Sequence, residues 1–173
     1  MLQSPAPIAA DTTPIEELVT ARAYMYKHPL TPVEAKELSI TAVELSKETG
    51  INLGLIFGLI EIESKYERKA KSKKKCKGLT QLSKGTADTE ANRLGIEEYN
   101  IFSIKDNLTI GVNYLVDLYN EWYNWVDALT VYNMGFNKFA ARGYRPNGYA
   151  SAVIKRGKTI EKLLKDPKIC RSF

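Results

Sequence analysis

Histidine and cysteine are nearly missing from this chain of 173 residues, which holds one His, His28, and two Cys, Cys76 and Cys170. A zinc site built from Cys and His needs ligands clustered at short spacings, and no such cluster is present. A Ser-His or Cys-His nucleophile would have to use His28, which sits in Lys27-His28-Pro29, a helix-exit context where a solvated histidine is expected. The two cysteines are far apart and are expected as free thiols, although an oxidising compartment would let them pair. Long apolar runs are lacking too. The longest, Leu53 to Ile62, is ten residues broken by Gly54, Gly58 and Glu61, against the about twenty that a membrane span needs. Met1 to Asp11 has neither a basic start nor a sustained apolar stretch and does not read as a secretory signal. Strand-like alternation is scarce. What is there is ordinary globular composition, 44% hydrophobic and 26% charged, and with His and Cys so scarce any chemistry must come from carboxylates.

The charge is unevenly placed. Lys65, Arg68, Lys69, Lys71, Lys73, Lys74, Lys75 and Lys77 face one acid, Glu67, within a single short stretch, while the rest of the chain carries 17 basic and 19 acidic residues. Nucleic-acid binding calls for a basic face built from several elements, so one basic loop argues against it. Beside a binding cleft the same loop would draw in anionic polymers by salt-sensitive steering; otherwise it is a solvated loop. Arg142-Gly143-Tyr144-Arg145 is similarly open between an anion contact and a surface turn.

Helix signals dominate. Thr13-Pro14-Ile15-Glu16 and Thr31-Pro32-Val33-Glu34 each place a capping Thr, a Pro at the first helical position and a Glu at the third. They predict helices over Pro14 to Lys27 and Pro32 to Lys47, the second stopped by Gly50. Asn52 caps a nearly all-apolar helix, whose Gly54 and Gly58 would let a neighbour approach closely. Ser83 caps a helix ending near Gly95. Asp106 to Trp122 carries an apolar stripe at Leu108, Val112, Leu115, Tyr119 and Trp122. Trp125 to Asn133 and Tyr149 to Lys165 complete a mainly α chain, read as an extension over residues 1–30 followed by a domain over 31–173.

On the apolar helix Ile56, Leu59, Ile60 and Glu63 share a face, whereas Glu61 lies about 200° around from Glu63 and is free to face elsewhere. A carboxyl at the edge of an apolar surface has its pKa raised, as a general acid near neutral pH requires.

From Glu63 the chain reads Glu-Ser-Lys-Tyr, then Ala70, Ser72 and Gly78-Leu79-Thr80-Gln81. Downstream come Tyr114-Leu115, Ala128-Leu129-Thr130-Val131-Tyr132-Asn133-Met134-Gly135, and Tyr149 to Val153. In this order and spacing the segments resemble the soluble-lytic-transglycosylase domain, the goose-lysozyme-like family, over roughly residues 38–156. The resemblance implies a lysozyme-like (goose-type) helical domain with a long glycan cleft and at most a small β element. It implies Glu63 as sole acid/base, Tyr132 and Asn133 beside the cleavage point, and Ser72, Gln81 and Tyr149 binding or positioning glycan. Thr80, where the family usually has Met, is grouped with these substrate-binding residues. Lys75-Cys76-Lys77 and Phe136-Asn137 also depart from the family pattern.

The implied activity is peptidoglycan lytic transglycosylation, cleavage of the MurNAc-GlcNAc bond with formation of a 1,6-anhydro product, a scheme that uses no metal and no cofactor. A hydrolysing muramidase and a non-catalytic wall-binding component are the alternatives. The expected partners are glycan strands, with residues 1–30 available to dock on a virion or secretion assembly. Without a visible signal peptide, action at the cell wall suggests a phage-borne product or specialised secretion.

Overall fold

The computed structural model describes residues 12–165; Met1 to Asp11 and Cys170 lie outside the described residues. Eight helices form among them: α1 (Thr13–Met25), α2 (Pro32–Thr49), α3 (Leu53–Glu63), α4 (Lys84–Arg93), α5 (Ile104–Trp122), α6 (Trp125–Met134), α7 (Phe136–Ala141) and α8 (Gly148–Lys165). The only extended pairing among the described residues is two isolated antiparallel bridges, Lys71 with Lys77 and Lys77 with Leu82.

The caps set the boundaries. At α2 the Thr31 hydroxyl accepts from the Glu34 N–H and the Glu34 carboxylate accepts from the Thr31 N–H, the expected reciprocal box, and Gly50 ends the helix at φ 73°. At α1 the capping residue is Thr12 rather than Thr13. The Thr12 hydroxyl donates to Glu16 instead of capping a backbone N–H, because its carbonyl already accepts from Ile15 and Glu16. Ser103 caps α5, which begins at Ile104, two residues ahead of the expected Asp106. The six-residue α7 has no counterpart in the sequence reading.

α3 is buried from Gly54 to Glu61 and forms the centre of a core to which α1, α2, α5, α6 and α8 contribute. Its closest partner is α8, running antiparallel. A Cβ on Gly58 would lie 2.7 Å from the Val153 carbonyl oxygen and one on Gly54 2.6 Å from that of Gly157. Any larger residue at either position would push the helices apart, so both glycines serve the close approach their spacing predicts. A smaller cluster of Leu82, Ala87, Ala91 and Ile110 packs α4 on α5. Tyr114 and Tyr132 touch both clusters, and the candidate site lies at that seam.

Glu61 does not face solvent. It is 2% exposed and is held from three directions: Arg22 of α1, Tyr26 just past the end of α1, and Arg156 of α8, whose Nε lies 2.8 Å from Oε1. Leu18, Val19 and Ala23 of α1 are buried in the same core. Residues of α1 therefore pack as part of the domain, and no break in packing marks the expected boundary between residues 30 and 31. Breaking a buried ion pair typically costs about 3–5 kcal/mol. Because Arg156 remains, Arg22→Ala should fall near the low end, about 3 kcal/mol, read as a lower urea midpoint at unchanged slope. A cost below about 1 kcal/mol would mean that Arg22 merely screens a solvated carboxylate.

Candidate active site

Glu63 is the last residue of α3, and the chain leaves it through Lys65 and Tyr66, both left-handed at φ 53° and 66°. This conformation costs roughly 1–2 kcal/mol per non-glycine residue, offset by burial of the Tyr66 side chain, which is 1% exposed. The turn sends the lysine-rich segment back across the end of α3, where it forms one wall of a cleft of about 560 Å³. Glu63, Ser72, Lys73, Lys74, Gln81, Tyr114, Tyr132 and Asn133 line that cleft, together with Met134 and Gly135.

Tyr149, in the first turn of α8, donates its hydroxyl to Glu63 Oε1. Burial pushes the Glu63 carboxyl up to about 7, against smaller downward pulls from the Tyr149 hydrogen bond and the Lys74 charge. Tyr149 and Tyr132 are both held well above the ordinary phenol range, first by burial and next by the Glu63 charge. Both therefore remain donors at neutral pH. Tyr132 donates to the Thr80 carbonyl at 2.9 Å, and its ring packs 5.2 Å from that of Tyr114. A protonated carboxylic acid fixed by one phenol and walled by two more is suited to giving a proton to a leaving oxygen.

The structure brings Glu63, Ser72, Gln81, Tyr132 and Asn133 to one cleft, with Tyr149 reaching it through Glu63. Two of these residues also hold backbone in place. Gln81 Nε2 donates to the carbonyls of Gly78 and Ala70, and the Ser72 hydroxyl accepts from the Cys76 N–H. Asn133 Oδ1 accepts from Asn147, whose own side-chain oxygen caps the Tyr149 N–H. Thr80 is placed differently: it is 0% exposed. Its hydroxyl and N–H both donate to Asn107, and its side chain packs on Gly111 behind the cleft wall. The geometry makes it a support for the Gly78 to Leu82 turn instead of a group on the cleft surface. Glu67 stands 3.9 Å from His28 and outside the cleft.

Tyr114 and Asn147 are the site neighbours that sequence reasoning did not single out for the cleft. Tyr114 stands beside Leu115 in the family resemblance, which gives it no role in the cleft, and an aromatic on α5 reads as packing. Asn147 carries only the generic signal of an Asn before a helix start. Among the described residues no group of His, Cys, Asp and Glu could hold a metal ion.

The family described as Transglycosylase SLT domain matches residues 41–152. No curated protein matches the chain in sequence. Among solved structures, the 70 kDa soluble lytic transglycosylase of Escherichia coli is similar at a TM-score of 0.64 and 16% identity, over 97% of this chain and 33% of that one. A complex of the 70 kDa soluble lytic transglycosylase with bulgecin A gives 0.68 and 16%, over 96% and 32%. An inactive mutant of the lytic transglycosylase Slt of Pseudomonas aeruginosa gives 0.59 and 18%, over 87% and 28%. At these identities the likeness shows the fold, and this chain spans about a third or less of each of those proteins.

A Glu63 pKa raised from 4.5 to about 7 makes the folded state bind the proton more tightly than the unfolded one. Ionised Glu63 therefore penalises folding above about pH 7, and the penalty is relieved as pH falls from there toward 4.5. E63Q should accordingly be more stable than wild type by roughly 3 kcal/mol at pH 8.5 and by less than about 1 kcal/mol at pH 5, as read from thermal melts across that range. A pH-independent difference would contradict the burial of an ionisable Glu63.

Proposed function

The chain belongs to the Transglycosylase SLT family, and from that premise we propose that it is a peptidoglycan lytic transglycosylase with Glu63 as its single acid/base. The observation that carries this reading is a carboxyl held partly protonated at neutral pH, directed by Tyr149, and the only carboxylate among the described residues lining the cleft. A two-carboxylate glycosidase places a second Asp or Glu across the scissile bond. Here the rest of the described lining offers Tyr114, Tyr132 and Asn133 and no second Asp or Glu.

In the proposed reaction Glu63 gives its proton to the glycosidic oxygen between N-acetylmuramic acid and N-acetylglucosamine as the bond to C1 breaks. The positive charge that develops at C1 is taken up by the oxygen of the substrate's own acetamido group. The Glu63 carboxylate, now facing the Tyr149 O–H, accepts the proton of the muramoyl 6-hydroxyl. O6 then closes on C1 and displaces the acetamido oxygen. No water is consumed, the acid is regenerated, and the product carries a 1,6-anhydro ring. Proximity does most of the work in the second step, since nucleophile and electrophile belong to one sugar.

Mass spectrometry of muropeptides released from purified peptidoglycan tests this directly. Wild type should yield products one water lighter than reducing-end muropeptides, and E63Q should lose a factor on the order of 10²–10⁴ in rate. Reducing-end products would make the protein a hydrolysing muramidase. No product from wild type would leave a wall-binding role.

Tyr149→Phe removes the donor that favours ionised Glu63, so the Glu63 pKa should rise further. Because the first step needs the protonated acid, the alkaline limb of the pH–rate profile should move upward. The rate at its plateau should fall on the order of tenfold, from the loss of one hydrogen bond to a charged group. An unshifted limb would show that Tyr149 does not act through Glu63.

A further inference from the structure

We propose that Lys73 and Lys74 form a carboxylate-binding subsite on the rim of the cleft that takes the anionic peptide stems of peptidoglycan, an inference that rests on the cleft being a peptidoglycan site. The eight basic residues between Lys65 and Lys77 do not act as one cloud of charge. Arg68 is committed to Glu34 at 2.9 Å and to the Phe102 carbonyl at 3.0 Å. The ammonium groups of Lys71 and Lys77 sit over the Phe102 ring, 5.5 and 6.0 Å from its centre. Lys73 and Lys74 alone among the eight line the cleft, and neither makes an ion pair among the described residues.

Their placement is built into the backbone. The Ser72 N–H donates to the Cys76 carbonyl at 3.0 Å, the Cys76 N–H donates to the Ser72 hydroxyl at 3.1 Å, and the Lys75 N–H donates to the Ser72 carbonyl at 2.9 Å. Residues 72–76 are thus a stapled turn with Lys73 and Lys74 at its tip, and Lys75 closes it in the left-handed region at φ 65°. Lys74 is near enough for its charge to act on Glu63. Glu63 is the only carboxyl among the described residues lining the cleft, and no ion pair there engages either cation.

Sugars of a peptidoglycan strand are uncharged where the muramoyl lactyl group is amide-linked to its stem, whereas the stems carry free carboxylates. A lysine ammonium is a compact charge on a flexible stem, suited to anions whose exact position varies along a polymer. Two exposed contacts of this kind together discriminate by roughly three- to tenfold, enough to sort stem-bearing strands from strands whose stems have been modified.

The experiment compares intact peptidoglycan with the same material after its stem carboxylates are converted to amides. Wild type should favour the free carboxylates by about three- to tenfold in kcat/KM, mainly through KM, and the preference should shrink between about 20 and 300 mM salt. In a protein carrying Lys73→Gln and Lys74→Gln the ratio should fall to about one, and taking the ratio cancels any change in the chemistry at Glu63. A ratio unchanged by the double substitution, or no preference in wild type, overturns the proposal. Failure of the enzymatic reading is separable by calorimetric titration of E63Q with soluble muropeptides in the two forms. Tighter binding of the free-carboxylate form, abolished by the lysine substitutions, supports the subsite even without turnover; equal binding of both forms overturns it.

Discussion

A carboxylate near the end of a buried apolar helix needs hydrogen-bond donors around it, and Glu61 obliges three separate elements to supply them. Arg22 reaches it from α1, Tyr26 from just past the end of α1 and Arg156 from α8, with Tyr66 buried close by after the turn that follows α3. Each of these elements must therefore occupy a defined position around the last turn of α3. Such a cluster is a weak source of net stability, since desolvation of the charges offsets much of their attraction. Its effect lies in geometry, because a misplaced helix would leave a charge without a partner in an apolar core.

Two residues further on, the same helix treats a carboxylate in the opposite way. Glu63 has a single phenol and a distant ammonium in place of two guanidinium groups, and burial then favours its neutral form. Two carboxyl groups on one helix thus meet opposite environments, one ringed by guanidinium and phenol donors and one left mainly to burial. The roughly 200° between positions 61 and 63 puts the first toward α1 and the second toward the cleft.

Much of this was legible in the sequence because it is local. The Thr31 and Glu34 box, the Asn52 and Ser83 caps and the apolar stripe of α5 all depend on residues within a turn or two of one another. Glu63 was legible because its helical face and the motif around it coincide. Glu61 was not, since its partners lie 39 residues before it and 95 residues after it in the chain. Nothing in the spacing of Arg22 or Arg156 marks either as a counter-ion. Thr80 was misplaced for a related reason: its partner Asn107 comes from α5, and only the fold shows which way the Gly78 turn faces. The division of the lysine loop likewise depends on Phe102, a ring some thirty positions downstream.

The glycine contact between α3 and α8 has a consequence for how the molecule responds to heat. Glu63 and Tyr149 lie at adjoining ends of two helices whose backbones touch at Gly54, Gly58 and Gly157. Helices separated by long side chains can slide as rotamers exchange, but backbones in direct contact have no such slack. The acid and its phenol are in effect mounted on one stiff bracket. Warming the native protein should leave their separation, and with it the protonation balance of Glu63, largely unaltered until the bracket itself melts, so proton-donating capacity and the folded state should be lost together.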